Sequence, residues 1–144
     1  MRTLPSPFTL EFLVRDYECD LQGIVNNAVY LNYLEHTRHE FFKVLGFDFA
    51  KMHNAGKDFV VVRTEIDYKS SLRSGDRFIT TARLARESRL RVAFFHEIYK
   101  VDVSIPVIQA KVIVTCISSP GGRPMVSPEI ETILKTLDKD AASA

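Results

Sequence analysis

The first third of the chain changes its hydrophobic period once, and that change separates a strand from a helix. Over residues 8–14 apolar side chains occupy every second position, which is the period of a strand with one buried face. Residues 18–23 contain acids, a glutamine and a glycine, which indicates a loop. Over residues 28–45 apolar side chains recur every three or four positions. This spacing predicts a helix of about five turns, with an N-cap at Asn26-Asn27 and an end at Gly46.

Strand patterns dominate the rest of the chain. An irregular connector over residues 47–57 holds a short helical pattern at residues 49–53. Segments rich in valine, isoleucine and aromatic residues then predict strands over residues 59–68, 77–84, 89–99 and 107–117. Ser127 as N-cap and Pro128 at the first helical position predict a terminal helix over residues 128–137.

This order of elements predicts an α+β domain, in which a five-stranded antiparallel sheet packs on one long helix. A parallel sheet would need helices between the later strands, and the sequence has none long enough there. The long helix covers one face of such a sheet, yet adjacent strand positions such as Phe94 and Phe95 are both apolar. We therefore expect the chain to associate with a second copy of itself.

Composition places the chain among single globular domains. It has 144 residues, 46% of them hydrophobic, with 19 Lys+Arg against 18 Asp+Glu. One domain over residues 1–144 can bury a substantial core at this length, and the balanced charge argues against nucleic-acid binding. The N-terminus lacks the apolar core of a signal peptide, and no segment reaches the ~18–20 apolar residues of a membrane span. We expect a soluble, cytoplasmic protein with no membrane partner.

Several common chemistries lack their motifs. The sequence contains no GxGxxG, GxxxxGK[ST] or GxSxG motif, so dinucleotide, P-loop and α/β-hydrolase chemistry are not indicated. Cys19 and Cys116 belong to no CxxC pattern and are expected to be free thiols. His36 and His39 lack the spacing of a metalloprotease pair. We predict neither a metal site nor a bound cofactor.

One passage combines residue types that could support catalysis. Residues 14–38 read VRDYECDLQGIVNNAVYLNYLEHTR, with Asp20 in a loop ahead of the long helix. A helix N-terminus presents unpaired N–H groups and a partial positive charge, which stabilise a developing oxyanion. A carboxylate just upstream can act as nucleophile or general base. An acid before a helix is also commonly a cap or a solvated loop residue, so the pattern alone leaves both interpretations open.

The same passage resembles the signature of the hot-dog-fold acyl-CoA thioesterases, above all the 4-hydroxybenzoyl-CoA thioesterase-like group. The resemblance rests on DLQGIVNN at residues 20–27, followed by Tyr30, Tyr33, Glu35 and Arg38, and continues through residues 62–76. The passage is also similar to plant acyl-lipid thioesterases and to enzymes that cleave 1,4-dihydroxy-2-naphthoyl-CoA. The resemblance implies a central helix wrapped by a curved antiparallel sheet, and homodimers or tetramers with active sites at the dimer interface.

The resemblance also implies roles for individual residues. Asp20 is expected to attack the thioester carbonyl or to activate water, and the backbone N–H of Asn27 to polarise that carbonyl. Glu35 is the second candidate for the catalytic acid, or else forms a bracing pair with Arg38. The positions implied for substrate binding are Gly23, Val25, Asn26, Tyr30, Arg38, Arg89 and Arg91, the last two as contacts for CoA phosphates. Some subfamilies carry a histidine at the position of Ile24 or within Asn26-Asn27, and this sequence has none there.

Three functions are compatible with these features. The first is hydrolysis of an acyl-CoA or acyl-carrier-protein thioester to a free acid and a thiol. A hot-dog dehydratase or hydratase uses a histidine and acid pair, and the loop lacks that histidine. A non-catalytic domain would retain an acyl thioester without releasing thiol. An apolar tunnel suits aromatic and aliphatic acyl groups alike, so the pattern does not select between them.

Overall fold

The computed structural model describes residues 7–103 and 105–143. Residues 1–6 and 144 of the predicted 1–144 domain therefore lie outside the described residues. The chain forms the following elements in order: β1 (Phe8–Leu13), a 3₁₀ turn (Asp16–Glu18), α1 (Val29–Val44), α2 (Phe49–Asn54), β2 (Lys57–Tyr68), β3 (Arg77–Arg86), β4 (Arg91–Lys100), β5 (Pro106–Ser118), β6 (Pro124–Met125) and α3 (Pro128–Ser143). The predicted order of strands and helices is confirmed.

The strands form one antiparallel sheet in the order β1-β3-β4-β5-β2. Phe94 in the middle of β4 pairs with Leu84 of β3 on one side and with Val112 of β5 on the other. The two-residue strand β6 adds to the end of β5, beyond the five strands predicted. The α+β class and the five main strands around one long helix are confirmed, and they match the hot-dog architecture.

Helix α1 packs on one face of the sheet because one side of the helix is apolar. Leu34 is fully buried, Phe41 and Phe42 are almost so, and the phenyl ring of Phe42 lies 5.2 Å from that of Phe94. Thr37 is also fully buried, and its hydroxyl forms a 2.7 Å hydrogen bond with the hydroxyl of Thr80 on β3. The predicted central helix is therefore packed against the sheet along its length.

Helix α3 is longer than the sequence predicts and completes this core. The hydroxyl of Ser127 accepts a hydrogen bond from the N–H of Ile130 at 3.2 Å, as expected of an N-cap. Leu134 and Leu137 are buried in the same cluster as Phe41 and Phe94. The helix thus packs in the core that α1 and the sheet share. Among the described residues, no helix is both long and apolar enough to cross a bilayer.

Strand β2 is an edge strand with an apolar surface. Val60, Val61 and Val62 are 37%, 48% and 40% exposed, and a register shift between Val61 and Arg63 interrupts the pairing with β5. Phe95, on the outer face of β4, is also 36% exposed. The sequence-based expectation of uncovered apolar surface is therefore met mainly along the β2 edge.

Candidate active site

The loop between β1 and α1 contains a tight turn over residues 20–24, which Asp20 and Ile24 close. The Asp20 N–H donates to the Ile24 carbonyl at 2.8 Å, and Cys19 and Val25 form a bridge directly behind them. Gly23 has a φ of 79°, a conformation that glycine adopts without strain. The turn is held in one geometry by its backbone, so the side chain of Asp20 leaves it at a fixed point.

The carboxylate of Asp20 is oriented by the same turn. Its Oδ1 atom accepts hydrogen bonds from the N–H of Gln22 at 2.8 Å and from that of Ile24 at 3.4 Å. Its Oδ2 atom has no hydrogen-bond partner among residues 7–103 and 105–143. The side chain is exposed to solvent. One carboxylate oxygen is thus fixed while the other is available to a ligand.

The start of α1 leaves backbone donors unused, and the N–H of Asn27 is one of them. The side chain of Asn26 accepts from the Ala28 N–H at 2.9 Å, and its carbonyl accepts from the Val29 N–H at 2.9 Å. The cap position is Ala28, one residue beyond the predicted Asn26-Asn27 pair. Within the described part of the chain, the N–H of Asn27 has no acceptor, while its carbonyl accepts from the Tyr68 hydroxyl at 3.2 Å. A free donor at a helix N-terminus suits a developing oxyanion.

A buried acid that the sequence analysis treated as an ordinary loop residue anchors this turn to α1. Glu18 is only 7% exposed and accepts from the Arg15 N–H at 2.8 Å and from the Tyr33 hydroxyl at 2.9 Å. Burial and the hydrogen bond to Glu18 raise the pKa of Tyr33. A tyrosine on the inner face of the predicted helix was the one signal that could have indicated such a partner.

Of the four predicted substrate-binding residues around this loop, two are buried and two are exposed. Val25 and Tyr30 are each only 3% exposed, and the Tyr30 hydroxyl accepts from the Leu72 N–H at 3.1 Å. Burial raises the pKa of Tyr30. These two side chains position the loop and the helix start from behind. Gly23 and Asn26 are exposed beside Asp20 and stay candidates for direct contact with a ligand.

A cavity of about 440 Å³ opens between α1, α2 and β2, at the other end of α1 from Asn27. Its apolar lining includes Phe42, Phe59 and Phe94, and two of the predicted site residues, Glu35 and Arg38, also line it. Glu35 is exposed whereas Arg38 is only 9% exposed. The cavity therefore contains a buried cation in a largely aromatic wall.

Arg38 contacts a histidine that the sequence analysis missed. His96 is fully buried, and its Nδ1 lies 2.9 Å from the Thr81 carbonyl, which can only accept. Nδ1 therefore carries the proton, and Nε2 accepts from Arg38 Nη1 at 3.3 Å. Burial and the charge of Arg38 lower the pKa of His96 to about 3, and burial lowers the pKa of Arg38 to about 10. His96 follows Phe94 by two positions, so the strand period could have placed it in the core.

The bracing pair considered for Glu35 and Arg38 is not what the structure shows. No ion pair joins them within 4.0 Å among the described residues, because Arg38 turns into the core and Glu35 faces solvent. The charge of Glu35 does raise the pKa of Arg38, against the larger effect of burial. The hydrogen-bond partner of Arg38 is His96 instead.

Arg89 and Arg91 lie far from Asp20 within one chain. Arg91 begins β4 and Arg89 lies in the turn before it, whereas the Asp20 loop bridges through Ile24 to Arg73, near the start of β3. The start of β3 pairs with the opposite end of β4, so the length of β4, about 30 Å at the usual rise per residue, separates them. A ligand in contact with Asp20 would therefore have to span most of this distance to reach Arg89 and Arg91 of the same chain.

Comparisons with known proteins agree on one superfamily. The profile of the thioesterase-like superfamily matches residues 14–134. The chloroplastic acyl-acyl carrier protein thioesterase ATL3 of Arabidopsis thaliana is 40% identical over 102 residues, which cover 71% of this chain and 54% of that protein. The chain thus spans about half the length of the plant relatives it matches.

Solved structures share the architecture. A protein from Aquifex aeolicus is 31% identical, with a TM-score of 0.80 over 89% of this chain and 99% of the other. A 1,4-dihydroxy-2-naphthoyl-CoA thioesterase from Synechocystis is 19% identical, with a TM-score of 0.85 over 92% of this chain and 98% of the other. At that identity, the second likeness supports the fold alone.

Proposed function

Since the chain belongs to the thioesterase-like superfamily, we propose that it hydrolyses an acyl thioester to a free acid and a thiol. The observation that carries the proposal is the presence, in the segment between β1 and α1, of an oriented Asp20 carboxylate and of an unused N–H at Asn27. A thioester carbonyl that accepts from Asn27 gains charge on its oxygen as it is attacked, and this N–H at the start of α1 stabilises that charge.

Asp20 supplies the attacking group in one of two ways. Its Oδ2 atom can add to the carbonyl carbon and expel the thiolate, which leaves an acyl-aspartyl anhydride for water to hydrolyse. Alternatively, the carboxylate takes a proton from water as the water adds. In a single turnover in ¹⁸O-labelled water, label in Asp20 identifies the first route, because water has then opened the anhydride at the aspartyl carbon. Label confined to the product is expected of the second route and also of an anhydride that water opens at the acyl carbon.

The leaving group of the proposed reaction is a phosphopantetheine thiol, which CoA and acyl carrier protein share. The Arabidopsis relative is named as an acyl-carrier-protein thioesterase, and the Synechocystis structure as a CoA thioesterase. We propose Arg89 and Arg91 as contacts for phosphates of this group, since both are exposed cations beside each other.

We propose that the functional unit is a homodimer, alone or paired again into a tetramer, joined through the β2 edge. The edge offers a twelve-residue strand with three consecutive exposed valines. Antiparallel pairing of two β2 strands about a twofold axis sets the end of one strand beside the start of the other. This arrangement brings the cavity and the Arg89 end of one copy toward Asp20 of the other.

Thiol release from a panel of aliphatic and aromatic acyl-CoAs and acyl-carrier proteins tests the reaction. In Asp20→Asn the amide oxygen still accepts from Gln22 and Ile24, so the turn is kept while the carboxylate is lost. We expect a fall of roughly 10²–10⁴-fold in kcat/KM. Asp102→Asn, an exposed aspartate in another turn, is the matched control and should retain wild-type activity. Activity retained in Asp20→Asn would transfer the role to Glu35.

A further inference from the structure

The cavity between α1, α2 and β2 holds a buried cation, Arg38, that forms no ion pair with a carboxylate of the residues the structure describes. Arg38 has five N–H donors, and its described protein contacts are the 3.3 Å bond to neutral His96 and the face of the Phe94 ring, 5.9 Å away. We propose that this cavity binds a carboxylate carried on an apolar body, with Arg38 as its anchor.

The other charged groups that line the cavity are already paired or lie at its exposed rim. Asp58 accepts from His53 at 2.7 Å, and Lys57 pairs with Glu129 at 3.1 Å. Glu35 is exposed to solvent, where water and salt screen its charge. Arg38 is thus the cation of the described lining that has no acidic partner within 4.0 Å.

The rest of the wall favours an alkyl or aryl body. Phe42, Phe59 and Phe94 line the cavity together with two aliphatic residues, Val61 and Val114. A volume of about 440 Å³ falls in the range of sites for small organic ligands. An apolar chain can therefore lie on this wall while its charged end reaches the guanidinium.

A carboxylate fits the unused side of Arg38 better than a neutral group does. A buried charge is costly unless it is paired, and a guanidinium presents its donors in a fork that matches two carboxylate oxygens. A neutral alcohol can accept a hydrogen bond there but leaves the charge uncompensated. The cavity is expected to discriminate by charge as well as by shape.

Two sources can supply such a carboxylate. One is the free acid that the proposed reaction releases. The other is the distal carboxylate of a dicarboxylic acyl thioester, and this second source rests on the proposed function. The binding measurement below requires no hydrolysis, so it separates the cavity's preference from the reaction.

The test measures the binding of decanoate and of decan-1-ol by calorimetry near neutral pH, below micellar concentrations. We expect decanoate to bind at least about tenfold more tightly than the alcohol to the wild-type protein. Arg38→Met should weaken decanoate binding roughly 10- to 100-fold and weaken binding of the alcohol much less. Glu35→Gln, which removes a like charge from the rim, should strengthen decanoate binding. The matched control is Arg123→Met, at an exposed arginine in the turn between β5 and β6.

Equal affinities for acid and alcohol in the wild-type protein overturn the proposal, and this comparison requires no variant to fold. A preference that survives in folded Arg38→Met overturns it as well. With thioester substrates, KM for decanedioyl-CoA can be compared with KM for decanoyl-CoA. A lower KM for decanedioyl-CoA that is lost in Arg38→Met identifies the distal carboxylate as the group that binds Arg38. Competitive inhibition by decanoate, with equal KM values for the two thioesters, identifies the released acid as the ligand of Arg38. Decanoate binding that depends on Arg38 in a protein that releases no thiol refutes the proposed reaction and keeps this inference.

Discussion

A histidine that stays neutral in the core makes stability depend on pH, and His96→Gln removes that dependence. In the folded protein, burial and the charge of Arg38 lower the pKa of His96 to about 3. In the unfolded chain a histidine titrates near its ordinary pKa of about 6.5. Between these values the unfolded state binds a proton that the native state does not. Lowering the pH therefore favours unfolding, and this stability is lost progressively below pH 6.5.

The magnitude follows from the two pKa values. Between pH 7 and pH 5 the unfolded histidine changes from mostly neutral to mostly charged, while the native one stays neutral, which costs about 2 kcal/mol of unfolding free energy. Glutamine can donate to the Thr81 carbonyl and accept from Arg38, yet it does not titrate. The variant should therefore lack this 2 kcal/mol loss, although its stability at pH 7 can differ from that of the wild type.

Urea unfolding followed by circular dichroism at pH 7, 6 and 5 measures the effect. The difference in unfolding free energy between wild type and His96→Gln should change by about 2 kcal/mol across this range, with unchanged urea dependence. His36→Gln, at an exposed histidine of α1, is the control and should follow the wild-type profile. Parallel profiles for wild type and His96→Gln would refute a neutral His96 bonded to a charged Arg38.

Two further predictions concern the sheet edge and one turn. Val60→Glu on the β2 edge should convert the proposed dimer to a monomer, measured by sedimentation, and should lower the thioesterase activity. Thr9→Glu, on the opposite edge strand β1, is the control and should change neither property. If Val60→Glu still forms dimers, the β2 edge is not the interface. In thermal unfolding, Gly56→Ala should lower the unfolding free energy by about 1 kcal/mol more than Gly75→Ala does. Both glycines have a positive φ, but only a Cβ at residue 56 would meet a neighbouring atom, the Ser119 carbonyl oxygen, at 2.9 Å. Equal losses of stability in the two variants would contradict this reasoning.

Periodicity predicts the regular elements of this fold well because their buried faces repeat. The ends of α1 fall within one residue of the predicted helix, and β2 begins two residues before the predicted strand. By contrast, β6 and the 3₁₀ turn are too short to show a period. β6 exists because Cys116 and Ile117 extend beyond the start of β4 and leave strand positions that Pro124 and Met125 fill.

In the candidate site, the features that depend on neighbours in sequence could be predicted, and those that depend on tertiary contacts could not. Asp20 and the start of α1 are neighbours in sequence, so a helix N-terminus behind an acid could be found without a structure. The Arg38–His96 contact joins residues 58 positions apart and depends on which way each side chain turns. Helical spacing places Glu35 beside Arg38 but does not say that one turns inward and the other outward.

The two ends of β2 together explain why one chain shows only parts of the proposed site. Asn27 meets Tyr68 at the end of this strand, whereas the cavity with Arg38 adjoins Phe59 near its start. Arg38 also follows Asn27 by eleven positions along α1, about 17 Å at the usual helical rise, so a short acyl group cannot contact both within one chain. Antiparallel pairing of two copies removes this separation, because the start of one strand then lies beside the end of the other. A dimer-breaking change at Val60 should therefore raise KM for the acyl group and leave the Asp20 turn intact.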